Sequence, residues 1–473
     1  MSPLSVPEAP NDKLHWMTER AVVEFVEKAE TLLELSSQAI DDEDGRFSRL
    51  IDLALSDGEF DDEQSDEFHK LLGEAGQWYR DYVAAMERGE YTFRPDRLPV
   101  KDRHVAEVFN RFHYRSMRKV VAPNRANLIR SSLLTVLVSS FEQLISVLAR
   151  ELMLLEPSLI KGDDSSISFG QLSRFRSIEQ AREHIVDKKV DDLLRGEFAQ
   201  WSSWFSRKEI SLQIEDFMDN PERVQEVFAR RNVIVHNDRR INRQYLLKVG
   251  SQDFDRLGDR LEVSHDYLSD AIQEFAAVGL LLVSSIWMKF TKVGPEHTAA
   301  WLDDQLDVLR DVSLHRAVLK VATVVLEKSR GRLPRNYELS LKVSRWVSLR
   351  QLSQNEVALK EVKAWDVTGL DLYFCHLKTV LEGDLTCMLK TGRQLIREER
   401  LSIFTLRADP AYEPHRESSE YRELLRAVRS IAAAKRVLAQ PISPEDRKKA
   451  AAIAAAAAME AAAAMDAGAP QAE

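Results

Sequence analysis

The sequence predicts an all-α protein, and three observations carry that expectation. Glycine (17) and proline (15) are scarce in 473 residues, so few positions interrupt a helix. Apolar residues recur at spacings of three and four along most of the chain, the period of one helical face. Alternating stretches that would mark strands are nearly absent. The length suggests roughly two to four domains. The reading is a central helical bundle flanked by an acidic N-terminal helical segment and a C-terminal segment of helical hairpins.

Composition narrows the function classes. Lys and Arg number 66 against 76 Asp and Glu, a net charge of -10, which excludes a simple polybasic nucleic-acid binder; nucleic acid would have to meet a local patch. The two cysteines, Cys375 and Cys387, are too few for a disulfide framework and lack the paired spacing of a structural zinc site. A reducing, cytoplasmic compartment is expected. Met1 to Pro10 lacks the basic start and apolar core of a signal peptide. The longest charge-free apolar runs, Ser131 to Phe141 and Phe275 to Met288, fall short of the roughly 18 to 20 residues that span a bilayer. Both read as buried helices, and no membrane partner is expected.

The elements follow in order. Residues 1–120 are acidic and helical: Thr18 to Ala39 reads as one amphipathic helix, Asp41 to Asp44 as a solvated break, and Asp66 to Glu87 as a second helix. Arg94 to Pro99, with two prolines, reads as a connector. The acidic run from Asp41 to Asp66 is a solvated face or, alternatively, a mask that imitates RNA over a basic cleft. Residues 121–295 open with an apolar helix from Asn124 to Leu155, continue through the polar stretch Lys161 to Ser177, and close with Val263 to Phe290. That last helix is apolar on nearly every face in its C-terminal half, which places it at the centre of a bundle.

Residues 296–440 read as short paired helices with turns at Gly331 to Pro334 and Gly383-Asp384. Leu377 to Gly392 resembles one helix-turn-helix unit of a tetratricopeptide-like repeat, without a full second copy. Residues 441–473 form an alanine-rich tail. It begins with Ser443 as an N-cap, Pro444 at the first helical position and two acids in the first turn. Alanine favours helix but has little apolar surface to bury, so the tail carries no chemistry.

Phosphate-binding glycine loops, dinucleotide fingerprints, His-Glu-x-x-His and Gly-x-Ser-x-Gly are all missing from the chain. What stands out is Arg230-Arg231-Asn232-Val233-Ile234-Val235-His236-Asn237-Asp238-Arg239-Arg240-Ile241-Asn242. Five arginines (230, 231, 239, 240, 243) and Lys248 crowd around one acid, Asp238. On a helix, Asn232 and His236 lie one turn apart on one face, Arg231 sits beside them, and Val233 points the other way into the core. Asn237-Asp238 reads as a turn that leaves His236 at a partly exposed helix end. An arginine fork fits phosphate oxygens and stays charged, a histidine exchanges protons near neutrality, and an asparagine orients either. Those groups suit RNA cleavage in which the ribose 2′-hydroxyl is the internal nucleophile, and no cofactor or metal is expected.

This stretch resembles the signature of the HEPN (higher eukaryotes and prokaryotes nucleotide-binding) ribonucleases: Arg, four to six residues, then His, often with Asn directly after Arg. Ser139-Ser140-Phe141-Glu142-Gln143-Leu144 is similar to the first bundle helix of bacterial HEPN families, and the likeness covers residues 121–295. Arg-x-x-x-x-His occurs three times, at Arg231/His236, Arg260/His265 and Arg310/His315; only the first has the Asn, the β-branched triplet and the basic surroundings. The resemblance implies a bundle that pairs with a second copy, two motifs meeting at a two-fold interface. It implies that His236 moves a proton or orients the 2′-hydroxyl, Arg231 stabilises the phosphate charge and Asn232 positions His236. The implied products are 2′,3′-cyclic phosphate and 5′-hydroxyl ends, the biological role a toxin or antiphage effector, and a regulatory protein or antitoxin a possible partner. Arg230, Arg239, Arg240 and Arg243 are candidate RNA contacts, with solvated surface charge as the plainer role.

The alternative for His236 is a helix-end histidine that caps or packs, in a non-catalytic scaffold that dimerises or binds RNA or nucleotide. Trp201, Trp204 and Phe205 are expected in the core rather than stacking on bases. Glu142 is expected as a half-buried structural acid, and His376 beside Cys375 as a core residue rather than a ligand.

Overall fold

The computed structural model describes residues 10–39, 51–56, 58–87, 101–121, 125–160, 168–328 and 333–439. The described residues are predominantly helical and contain no strand, only one isolated antiparallel bridge between Arg240 and Arg260. The all-α class is therefore correct. The expected break at 41–44, the connector at 94–99 and the alanine-rich tail lie outside the described residues.

The principal helices are α1 (Pro10–Gln38), α2 (Asp62–Glu87), α3 (Arg103–Val121), α4 (Arg125–Leu155), α5 (Ile178–Leu194), α6 (Phe198–Phe205), α7 (Pro221–His236), α8 (Arg243–Lys248) and α9 (His265–Phe290). They continue with α10 (Pro295–Asp311), α11 (His315–Lys328), α12 (Arg335–Gln351), α13 (Asn355–Lys363), α14 (Leu372–Glu382), α15 (Leu385–Arg397), α16 (Ile403–Ala408) and α17 (Ser419–Ala439). By length and hydropathy α4 and α9 could each cross a membrane, but 50% and 78% of their most apolar windows are buried in the protein.

The chain forms two compact units that interleave in sequence, one of Met1–Glu30, Ser139–Phe228 and Asp270–Glu473, the other of Thr31–Val138 and Ala229–Ser269. This division differs from the consecutive segments expected from the sequence, because its boundaries fall inside four helices, α1, α4, α7 and α9. Composition shifts and turn residues mark where helices end, whereas a boundary within a helix has no such signal.

In the first unit an aromatic column holds the core: Phe25 against Phe141, Phe141 against Phe275 at 4.6 Å between ring centres, Phe275 against Phe228, and Phe228 against Trp201. Trp201, Trp204 and Phe205 are buried, as packing residues should be. Glycine at 279 permits the close approach, since a β-carbon there would sit 3.1 Å from Leu144 Cδ2. The C-terminal helices of this unit share a second core that includes Trp346, Trp365, Leu377, Val380, Leu395, Tyr412 and Leu424. α14 and α15 are joined by two residues: Gly383 takes the left-handed conformation (φ 79°) that ends α14, and Asp384 accepts the Cys387 N–H to start α15. His376 is fully buried there, hydrogen-bonded to Thr391 and Tyr412, which accounts for a polar residue in this core.

In the second unit Phe68, Phe109 and Phe112 pack edge to face between α2 and α3 over Leu71 and Val105. A smaller cluster of Ala229, Val233, Ile241, Tyr245, Leu246 and Leu261 lies beneath the end of α7 and anchors the candidate site.

Candidate active site

α7 begins where Asn220 Oδ1 accepts the Arg223 N–H and Pro221 occupies the first turn, and it stops at His236. The stop is local chemistry. Asp238 and Arg239 both take positive φ (45° and 61°), and the Arg239 N–H reaches back to the Val233 carbonyl at 3.2 Å, closing the last turn. Asn237 reinforces it by donating from Nδ2 to the Arg240 carbonyl. The turn expected at Asn237-Asp238 is present, with Asp238 tolerating the left-handed region as short polar side chains do.

Beyond the turn the chain pairs with a later segment. Ile241 N–H donates to the Asp259 carbonyl (2.8 Å), Gly258 N–H to Ile241 (2.9 Å) and Leu261 N–H to Arg239 (2.7 Å), and Arg260 forms an ion pair with Asp238 at 3.5 Å. Asn242 then caps α8 by accepting from the Tyr245 N–H. Residues 258–261 are thereby pinned against residues 239–241.

The motif residues fall as helical spacing requires. Val233 is buried in the cluster, Asn232 and His236 are exposed, and Arg231 is half-buried. Asn232 and His236 are one turn apart and share a face; Arg231, five residues before His236, is rotated well away from that face, so helical spacing alone does not bring it beside His236.

The other arginines divide. Arg230 donates to the Glu262 carbonyl (2.7 Å) and lies 4.0 Å over the Tyr267 ring, so much of its fork is engaged in holding the start of α9. Arg239, expected as surface charge or an RNA contact, is buried at 3% exposure, a correction to that expectation: its backbone closes the turn, which turns the residue inward. Arg240 is exposed and donates to the Gly258 carbonyl at 3.0 Å. Arg243 is exposed, its guanidinium 6.0 Å over the Phe254 ring. Of the four candidate contacts, Arg240 and Arg243 remain at the surface. Glu262, Tyr267 and Phe254 were not marked by the sequence, because their partners lie from eleven to thirty-seven residues away.

The remaining Arg-x-x-x-x-His pairs have different surroundings. Arg260 bridges to Asp238, and His265 accepts or donates a 2.9 Å hydrogen bond with Ser36 Oγ. In the second pair Arg310 is ion-paired with Asp307, and burial lowers the pKa of His315. Among the described residues no three His, Cys, Asp or Glu side chains gather closely enough to hold a metal ion. Glu142 is half-buried, in line with a structural role.

Between residues 230 and 262 Lys and Arg number eight and Asp and Glu five, against a whole-chain charge of -10. The exposed imidazole of His236 and amide of Asn232 stand at the end of α7, with exposed Arg240 and Arg243 just beyond the turn. No family model, curated protein or solved structure matches the chain.

Proposed function

We propose that the protein is a metal-independent endoribonuclease of the HEPN type, acting in the cytoplasm as a homodimer and serving as a toxin or antiphage effector. The observation that carries this reading is the exposure of His236 at the closed end of α7, one turn from exposed Asn232 and on the same helix as half-buried Arg231, with Val233 fixing the helix from below. In the proposed reaction the ribose 2′-hydroxyl attacks the adjacent phosphorus, His236 takes or directs its proton, and Arg231 stabilises the negative charge of the pentavalent phosphate. The bond to the 5′-oxygen breaks, leaving a 2′,3′-cyclic phosphate and a 5′-hydroxyl. Asn232 orients the imidazole. Arg240 and Arg243 hold flanking phosphates.

The test is incubation of purified protein with end-labelled single-stranded RNA and transfer RNA in excess EDTA, beside His236→Ala. Cuts with cyclic-phosphate ends that vanish in the variant support the reading. RNA left intact by the folded full-length protein overturns it.

One observation favours a second reading. Arg230, Arg239 and Arg240 make contacts that build the turn and its paired segment, and such contacts equally suit a non-catalytic bundle that dimerises or binds RNA. That scaffold tolerates His236→Ala without loss of function.

A further inference from the structure

The segment paired with the end of α7 presents an apolar surface that the fold beneath it does not require. Ile241, Tyr245, Leu246 and Leu261 already fill the local core. Above them Leu247, Phe254 and Leu257 stand out at 67%, 44% and 39% exposure. Phe254 opens a short 3-10 turn, Phe254–Arg256, whose flanks are fixed: Ser251 N–H donates to the Leu246 carbonyl at 2.9 Å, and Gly258 and Asp259 pair with Ile241. An aromatic ring on a clamped backbone binds with little ordering cost.

Its neighbours carry both charges: exposed Asp253 and Asp255 adjoin it in sequence, and cations approach it from α8 and the rest of the loop. Arg243 and Leu247 lie one turn apart on the same face of α8, and the Arg243 guanidinium sits 6.0 Å over the Phe254 ring. Exposed Arg240 and Arg256 flank the same loop, and Arg240 is tied to its Gly258 carbonyl. A flat exposed ring with the Arg243 guanidinium over it suits single-stranded RNA, whose bases stack and whose phosphates need neutralising; Asp253 and Asp255 beside the ring leave the phosphates to the Arg240 and Arg243 side. A second copy seated on this loop would instead set Arg240 and Arg243 against their own equivalents.

We infer that Phe254, with Arg243 beside it, is a base-stacking platform for an unpaired nucleotide of RNA held next to the His236 end of α7. The inference rests on the reading of this surface as RNA-binding, and Phe254 is a specificity and positioning residue rather than a catalytic one.

The full-length His236→Ala protein serves as the parent, so that RNA is not consumed during titration. Its affinity for a fluorescent single-stranded octanucleotide is compared with that for the same strand carrying abasic sites. Adding Phe254→Ala should weaken binding of the intact strand roughly 5- to 150-fold, change binding of the abasic strand little, and be reversed by Phe254→Trp. Equal affinity of Phe254→Ala and parent, equal loss on both strands, or no recovery with Trp overturns the inference. A parent that binds no RNA also overturns it. If binding behaves as expected while the wild-type protein leaves RNA uncut, the stacking site stands and the ribonuclease reading falls.

Discussion

Replacing His376 by glutamine should remove about 3 kcal/mol of the acid sensitivity that burial of this imidazole gives the C-terminal core. Thr391 Oγ1 donates to the Cys387 carbonyl at 2.7 Å, so it accepts from His376 Nδ1–H at 2.7 Å; Nε2 is then the unprotonated nitrogen and accepts from the Tyr412 hydroxyl at 2.9 Å. The ring is sealed from water, and burial pushes its pKa from 6.5 to about 4. The sign follows directly. The fold holds the neutral form, so the stabilisation is complete above pH 6.5 and is lost as the pH falls from 6.5 toward 4. At about 1.4 kcal/mol per unit, the loss is about 3 kcal/mol. Glutamine retains a donor and an acceptor but does not titrate.

The assay is urea unfolding followed by tryptophan fluorescence at pH steps from 8 to 4, since Trp346 and Trp365 share the core with His376. His15, His315 and His415 also have pKa values lowered by burial, but they are common to both proteins and cancel in the difference. The gap between wild type and His376→Gln should be flat above pH 6.5 and shift by about 3 kcal/mol against the wild type below it. Parallel profiles across the whole range would refute the reasoning.

Three further outcomes follow from packing. Gly392→Ala gains about 1 kcal/mol of helix propensity, but its β-carbon would meet Leu424 Cδ2 at 2.8 Å and the doubly hydrogen-bonded His376 ring at 3.0 Å. Overpacking of about 1–3 kcal/mol should win, giving a net loss in urea unfolding. Val233→Ala removes two buried methyl groups from the cluster under α7 and should cost about 2 kcal/mol, read as faster hydrogen exchange at 229–246. Lys320 is held between Glu274 (2.9 Å) and Asp219 (3.1 Å) with its side chain 7% exposed, so Lys320→Met leaves Glu274 half-buried without its cation. A loss of about 3 kcal/mol is expected in thermal or urea unfolding, partly recovered when Glu274→Gln is added; no recovery would show that the lysine's packing, not its charge, matters.

Much of the candidate site was legible before the fold was known, because its parts are local. The 3.6-residue period puts Val233 inward and Asn232 and His236 outward whatever surrounds the helix, and Asn237-Asp238 closes it with side chains suited to the left-handed region. The helical hairpin at Gly383-Asp384 was legible for the same reason: only the residues at the turn decide it. The arginines were a different matter. Arg230, Arg239, Arg240 and Arg243 look alike in a basic run, yet one holds Glu262 and Tyr267, one is buried, one braces Gly258 and one meets Phe254. Each outcome depends on a partner brought in by pairing between residues 239–241 and 258–261.

The sequence by itself determined the all-α class, the C-terminal end of the motif helix and which of its last residues face solvent, since these depend on contacts within a turn or two of the chain. The tertiary structure alone decided how the chain divides into compact units, which arginines stay at the surface, and that Phe254 stands beside Arg243. Those depend on contacts between residues far apart in sequence, and side-chain type does not reveal which distant segment will close over it.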